Sequence, residues 1–481
     1  MQALAAMLLL AGLPAAVPQS DARPPSPTPD LAMTAKKIFP FPIEVKTLPN
    51  GLRYVFVKFN SPGITAYYSL VRTGSRNEVE PGRSGFAHFF EHMMFRGTER
   101  FSMQDFDNLL ASAGVANNAF TTNDFTAFHE LGPTSRLPLI IELEADRFQH
   151  LSYSQDDFKT EAKAVLGEYN KNFSNPTEKL DEVLHDRAFT THPYKHTTMG
   201  FKEDIQDMPN LYQYSLEFFH RWYTPDNVTL IVVGDFDHGK VEELIRSAYG
   251  GWQGKASSVA VPQEPKQTEP HAVHVSWSNP TQPRLMVTWH TPAARTDTLS
   301  SAIQNVLGPY LFGPTSPTFR DLVLDRQLVT NLELMYYDHR DPSLFGVLAV
   351  MKGSEAIPAV QHAIAAAISD LRDGKVDAKR LEDVKSNQKY GLLTSLDNPD
   401  TVALQLVFAI GPTGDPDALN LLFNHIEQLT PKDLAAFAKT YLVNTNETEA
   451  SLTGAGSTPP PGFTEYAPHG KPTAQPDGGG R

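Results

Sequence analysis

His88-Phe89-Phe90-Glu91-His92 decides the reading of this chain. On a helix, residues four apart share a face, so His88 and His92 project together. Two imidazoles on one face can grip one zinc ion. Glu91, one turn from His88, sets a general base beside that metal, which is the equipment for hydrolysing an amide. The order H-x-x-E-H is the inverted form of a zinc signature. A catalytic zinc ordinarily has three protein ligands and one open position. A third ligand is available at Glu168, in Glu161-Ala162-Lys163-Ala164-Val165-Leu166-Gly167-Glu168. Its two glutamates are seven residues apart, about two helical turns, so both point the same way. One binds metal while the other steadies the site from behind. The chain has 16 histidines, so the joint occurrence of motif and glutamate pair carries the weight.

The rest of the composition suits a large enzyme. Its 481 residues, 41% hydrophobic, are enough for roughly two to four domains with real cores. A net charge of −14 argues against nucleic acid as a partner. The absence of cysteine excludes disulfides, thiol catalysis and a lipidated N-terminal cysteine. Ala3 to Leu13 is an apolar run, followed by Pro14-Ala15-Ala16-Val17. It is too short to span a bilayer and reads as the apolar region of a secretory signal, although no Lys or Arg precedes it. Residues 1–30 are therefore assigned as signal peptide and flexible N-terminus. The expected location is the periplasm of a Gram-negative bacterium, or outside the cell, with no membrane span in the mature chain.

Beyond residue 30 the chain reads as two similar halves. Leu52-Arg53-Tyr54-Val55-Phe56-Val57 and Ala66-Tyr67-Tyr68-Ser69-Leu70-Val71 are strands, with Asn50-Gly51 as a turn. Residues 114–128 suit a strand pair, and helical patterns run over 137–149 and 155–173. The half closes on Trp222-Tyr223-Thr224-Pro225-Asp226-Asn227-Val228-Thr229-Leu230-Ile231-Val232-Val233-Gly234, a helix end, a turn and a buried strand. The second half restarts at His274-Val275-Ser276-Trp277 and ends on an echo of the first, helix, polar turn, strand and Gly454. The expected organisation is a zinc-bearing domain at 31–250, a linker at 251–270, a homologous domain without the metal motif at 271–456, and a disordered tail at 457–481. The fold class is α+β. Two homologous, mainly antiparallel sheet-plus-helix units stand in tandem, each with helices on one face.

Gly85-Phe86-Ala87-His88-Phe89-Phe90-Glu91-His92-Met93-Met94-Phe95-Arg96-Gly97-Thr98, Leu48-Pro49-Asn50-Gly51-Leu52 and Asn118-Ala119-Phe120-Thr121 look like the first active-site helix, the opening hairpin and the substrate-side strand of a known peptidase family. With Asp124-Phe125-Thr126, Leu143-Glu144-Ala145-Asp146-Arg147 and His192-Pro193-Tyr194, these stretches resemble the pitrilysin and mitochondrial-processing-peptidase family of inverted-motif zinc peptidases, in its bacterial two-subunit, zinc-bearing form. The resemblance covers roughly residues 40 to 455, specific in the first half and looser in the second. It implies that His88, His92 and Glu168 bind one Zn2+ per chain and that Glu91 is the base. Glu161 matches a glutamate required for activity that does not bind the metal directly. Peptide substrates are expected to lie extended against Asn118, Ala119 and Phe120 as an added strand. The two units are expected to form half of a clam-like chamber admitting short or unfolded peptides.

The second half departs from that pattern. The family uses an Arg and a Tyr seven residues apart to hold the carbonyl oxygen as it becomes an oxyanion. Here Val323 and Thr330 stand at those places. Shifting the register from Arg320 or Arg326 meets Gln327 or Glu333, and from Tyr336 or Tyr337 it meets Val329 or Thr330. Loss of one oxyanion donor typically costs about 100- to 1000-fold in rate. The family's remedy is a heterodimer in which a sister chain carries the pair, and that is the expected partner. The competing readings are a self-sufficient homodimeric peptidase and a non-catalytic peptide-binding or structural homologue. The spacing of His185, His192 and His196 is not a ligand set, and they read as surface or interface residues.

Overall fold

The computed structural model describes residues 38–467. The signal peptide expected at 1–30 lies outside the described residues, as does the tail from 468 onward. Two six-stranded sheets form the frame. The first holds β1 (Ile43–Thr47), β2 (Arg53–Lys58), β3 (Ile64–Val71), β4 (Ala116–Thr121), β5 (Thr126–Pro133) and β6 (Val228–Gly234), in the order β1-β2-β6-β3-β5-β4. The second holds β7 (His271–Ser276), β8 (Arg284–Thr291), β9 (Val329–Met335), β10 (Ser343–Met351), β11 (Glu447–Thr453) and β12 (Thr464–Glu465), in the order β12-β7-β11-β8-β10-β9. Five strands of each sheet therefore run in the same order. The β2–β6 pair is parallel, as is its counterpart β7–β11, and the pairs from β6 to β4 and from β11 to β9 are antiparallel. The sheets differ at one edge. β1 joins β2 as an antiparallel hairpin, whereas β12 arrives from the far end of the chain and runs parallel to β7.

Each sheet is covered on both faces, because each half lends a helix to the other. β6 is buried along its whole length and β3 from Thr65 onward, the signature of strands with neighbours above and below. On one face Tyr54, Phe56, Leu230 and Val232 pack against the first half's own helices. On the other, Val55, Val57, Ile231 and Val233 join a core with Val402, Leu406 and Ile410 of the helix Pro399–Thr413, from the second half. The return gift is α5 (Pro176–Ala188), numbered after α1 (Phe86–Met93), α2 (Met103–Ala113), α3 (Leu137–His150) and α4 (Gln155–Asn172). Its Leu180, Val183 and Leu184 pack on Val273, Met286 and Leu452 of the second sheet. The sequence suggested helices on one face only. A local pattern cannot show that a helix crosses to the other half's sheet.

Two buried aspartates pin the halves together. Asp124, in the β4–β5 turn, accepts hydrogen bonds from the Tyr194 hydroxyl (2.6 Å) and the Arg340 amide (3.0 Å), and its Oδ2 lies 3.0 Å from His339 Nδ1. Asp341 forms an ion pair with Arg76 and meets His192 Nε2 at 2.9 Å. The stretch 251–270 holds no helix or strand, and Glu264 within it accepts the amides of Thr190, Thr191 and His192. The tail expectation needs correction up to residue 467. Beyond Pro459-Pro460-Pro461, Phe463 is buried in the core, β12 pairs with β7, and the Tyr466 hydroxyl donates to Asp186 at 2.9 Å. Two aromatic side chains recover enough apolar burial to order a segment that proline and glycine would otherwise leave loose.

Candidate metal centre

The motif helix α1 is oriented by its own sequence. Phe86, Phe89, Phe90 and Met93 recur at i, i+3, i+4 and i+7 and are fully buried. That leaves His88, Glu91 and His92 together on another side. The helix starts abruptly: Gly85 has φ +88°, and a Cβ there would come 2.7 Å from the Met199 carbonyl oxygen. The Glu78 carboxylate accepts the amides of Gly85 (2.7 Å) and Ala87 (2.6 Å), satisfying donors at the positive end of the helix. Against α1 lies α4, capped by Ser154. Its buried stripe, Phe158, Glu161, Ala162, Val165 and Tyr169, turns Glu161 inward and brings Glu168 to the same region two turns later.

His88, His92 and Glu168 converge, each offering a ligand atom within 4.8 Å of the others. Glu168 Oε2 lies 3.4 Å from His92 Nε2 and 3.9 Å from His88 Nε2. His92 Nδ1 is occupied by Glu161 Oε1 at 2.8 Å, which leaves Nε2 to face the ligand cluster. Glu161 also forms an ion pair with Arg96. Burial, and then the neighbouring His92, hold His88 below the ordinary imidazole range, so its ring is neutral and its lone pair available. The neighbouring His92 ring holds Glu168 below the usual carboxylate range. Two imidazole nitrogens and one carboxylate oxygen are a donor set that fits zinc. Glu91 points into the same space. Burial raises its carboxyl, while the Thr121 hydroxyl donates to Oε2 at 2.7 Å and favours the ionised form.

A cleft of about 320 Å³ opens here, lined by His88, Glu91, Phe120, Thr121 and Glu168, and also by Glu178, Asp181 and His185 of α5. Of the three expected substrate residues, only Phe120 reaches this lining. Asn118 is exposed and Ala119 is buried, but both lie on β4, the free edge of the first sheet. Val323 sits in a π-helical turn (Arg320–Asp325), and exposed Thr330 on β9 donates to the Val350 carbonyl. Neither lines the cleft, nor do Arg320, Arg326, Tyr336 or Tyr337. Among the described residues that lining comes entirely from the first half and includes no Arg, Lys or Tyr. His192 and His196 are buried rather than at the surface. The sequence reading left out Thr121, Arg96 and the α5 face. Arg96 is four residues past His92, and Glu178, Asp181 and His185 follow i, i+3, i+7, so helical spacing was the available signal.

Two family models match the chain, "Insulinase (Peptidase family M16)" over residues 57–202 and "Peptidase M16 inactive domain" over residues 211–388. The chain belongs to the M16 peptidase family. It is 28% identical over 375 residues to the zinc protease PqqE of Helicobacter pylori, covering 75% of this chain and 81% of that one. It is 22% identical over 437 residues to the mitochondrial-processing peptidase subunit beta of Lentinula edodes, covering 85% and 89%. The crystal structure of a protease from Helicobacter pylori superposes with a TM-score of 0.80 at 26% identity, over 86% of this chain and 100% of that one. The M16 fold of two sheet-plus-helix units is thus shared. Among the described residues no helix is long and apolar enough to cross a membrane.

Proposed function

We propose that this chain is the zinc-bearing subunit of a metalloendopeptidase that cuts short or unfolded peptides. The observation that carries this reading is the convergence of His88, His92 and Glu168 with Glu91 in one cleft. A zinc ion held by those three residues would supply Lewis acidity and bring a water's pKa toward neutrality. Glu91 takes the proton of the attacking water on Oε1, since Oε2 is engaged by Thr121, and then gives it to the leaving amine. The substrate backbone pairs with the free edge of β4 along Asn118, Ala119 and Phe120, so that side-chain preference is left to the cleft walls. Glu178 and Asp181 make one of those walls acidic, which favours basic side chains.

A sister subunit supplies the oxyanion contacts in this reading. The absence of Arg and Tyr from the described cleft lining, and the positions of Val323 and Thr330, support it. The N-terminal apolar run supports export to the periplasm. We assign residues 31–250 to the catalytic domain, 251–270 to the linker and 271–467 to the second domain, whose sheet includes β12.

The test is peptide hydrolysis by the pure, zinc-loaded chain against a mixed pool of unstructured peptides, beside Glu91→Gln. The variant is expected to keep stoichiometric zinc and lose turnover. Full hydrolysis by Glu91→Gln would overturn the assignment of the base. Robust turnover by the wild-type chain alone would mean that no sister subunit is needed. Stoichiometric zinc without turnover, restored by adding a homologous chain carrying the Arg and Tyr, is the outcome expected of a half-site enzyme.

A further inference from the structure

We propose that Arg96 is a positioning residue for the metal ligand His92, acting through Glu161; this rests on the reading that His88, His92 and Glu168 hold zinc. Arg96 lies just beyond the last turn of α1, four residues past His92. The two oxygens of the Glu161 carboxylate are divided between them: Oε1 meets His92 Nδ1 at 2.8 Å, and Oε2 pairs with the Arg96 guanidinium. Glu161 comes from the neighbouring helix, α4, and is only 6% exposed.

A carboxylate that buried is stable as an anion only when it is paired and hydrogen-bonded. The imidazole Nδ1 of His92 supplies one hydrogen bond to one of its oxygens. Arg96 supplies the charge, and its guanidinium holds the oxygen that His92 does not. With the carboxylate fixed, Nδ1 of His92 is held as the donor and its ring is kept from turning, so Nε2 stays on the side of the ligand cluster, 3.4 Å from Glu168 Oε2. Without Arg96, Glu161 is left to rotate toward water, and the orientation of His92 is lost. Arg96 does not line the cleft, and Glu161 stands between it and His92. Partners of this kind behind a metal-binding histidine typically change affinity about 10- to 100-fold.

The test is zinc affinity of the full chain, measured by competition with a chromogenic chelator, for wild type, Arg96→Met, Arg96→Lys, Glu161→Gln and the double variant Arg96→Met/Glu161→Gln. Thermal unfolding of the metal-free proteins is recorded alongside. Arg96→Met is expected to bind zinc about 10- to 100-fold more weakly, with Arg96→Lys closer to wild type because it retains the charge. The double variant is expected to bind no more weakly than Glu161→Gln, since both changes break the same relay. Arg96→Met binding zinc as wild type does, while Glu161→Gln is weakened, would overturn the proposal. So would losses that multiply in the double variant, or a lower melting temperature with unchanged affinity. Should Arg96→Met not fold, Arg96→Gln carries the same comparison. A wild-type chain that binds no zinc would overturn the metal assignment itself and this proposal with it.

Discussion

The Thr121 hydroxyl donates to Glu91 Oε2 across 2.7 Å, tying Glu91 of the motif helix to the end of β4. One carboxylate oxygen is thereby fixed and the other is left to face the cleft. Thr121→Val preserves shape and deletes the donor. A hydrogen bond to a charged group is worth roughly 1.5–3 kcal/mol, so kcat is expected to fall about 10- to 100-fold with zinc content and KM near wild type. Thr121→Ser keeps the hydroxyl and is expected to recover most of the rate. Steady-state kinetics of the three proteins, with sister subunit if the chain needs one, decide it. Equal rates for valine and serine would remove Thr121 from the account.

The acidic wall on α5 makes a second expectation. Burial, and then Asp181, raise the Glu178 carboxyl, so the pair is held together at some electrostatic cost that a cationic side chain relieves. Peptides with Lys or Arg near the cut bond are expected to be cleaved with higher kcat/KM than neutral analogues. Glu178→Gln with Asp181→Asn is expected to reduce that advantage several-fold, the scale of partly exposed ion pairs, and to leave neutral peptides unaffected. Added salt is expected to shrink the preference in wild type only. A double variant that retains the full preference would place the selectivity elsewhere.

How far the site was legible follows from which interactions are local. His88, Glu91 and His92 share one helix turn, and Glu161 and Glu168 sit two turns apart on another, so periodicity alone aligned each set. Their meeting across α1 and α4 is a tertiary fact, and the family resemblance supplied it. The duplication was legible because both halves close on a helix, a polar turn, a strand and a glycine, whereas the order of the strands in each sheet was not. The exchange of α5 against the helix Pro399–Thr413 was not, since an amphipathic helix advertises that it has an apolar face without naming the sheet that receives it. The same holds for Tyr466: an aromatic residue after a proline run gives no sign that its hydroxyl will reach Asp186.

Phe120 shows what the exchange does for the cleft. Its ring stacks on Phe408 of the second half, centroids 5.6 Å apart and planes 17° apart. Phe120 is at once a cleft residue and the point where the helix Pro399–Thr413 supports β4. Phe408→Ala is expected to cost about 0.5–1.5 kcal/mol for the stacking alone and to raise KM more than it lowers kcat, because strand pairing is disturbed while Glu91 keeps Thr121. Phe408→Leu fills more of the space and is expected to fall between the two. The melting temperature and the split between kcat and KM check this. A pure loss of kcat would argue against a substrate-positioning role for β4.

The pinned aspartates give the assembly of halves an acid limit. Burial raises Asp124 and Asp341, but hydrogen bonds outweigh it and leave both below the usual carboxylate range. His339 and Tyr194 do this for Asp124, and His192 and Arg76 for Asp341. A carboxyl whose folded pKa is depressed contributes stability that is fully present above its unfolded value, about 3.9, and is lost as pH falls through the folded value. Asp341→Asn removes the partner of a buried Arg76 and is expected to destabilise the chain by about 3–5 kcal/mol at pH 7. The gap between wild type and variant is expected to narrow below about pH 4, where the unfolded chain's aspartate takes a proton that the folded one still resists. Melting temperatures of both proteins from neutral pH down to about pH 3 read this directly. A gap that stays constant across that range would mean that Asp341 acts by packing rather than by charge, and that Arg76 and His192 do not hold it ionised.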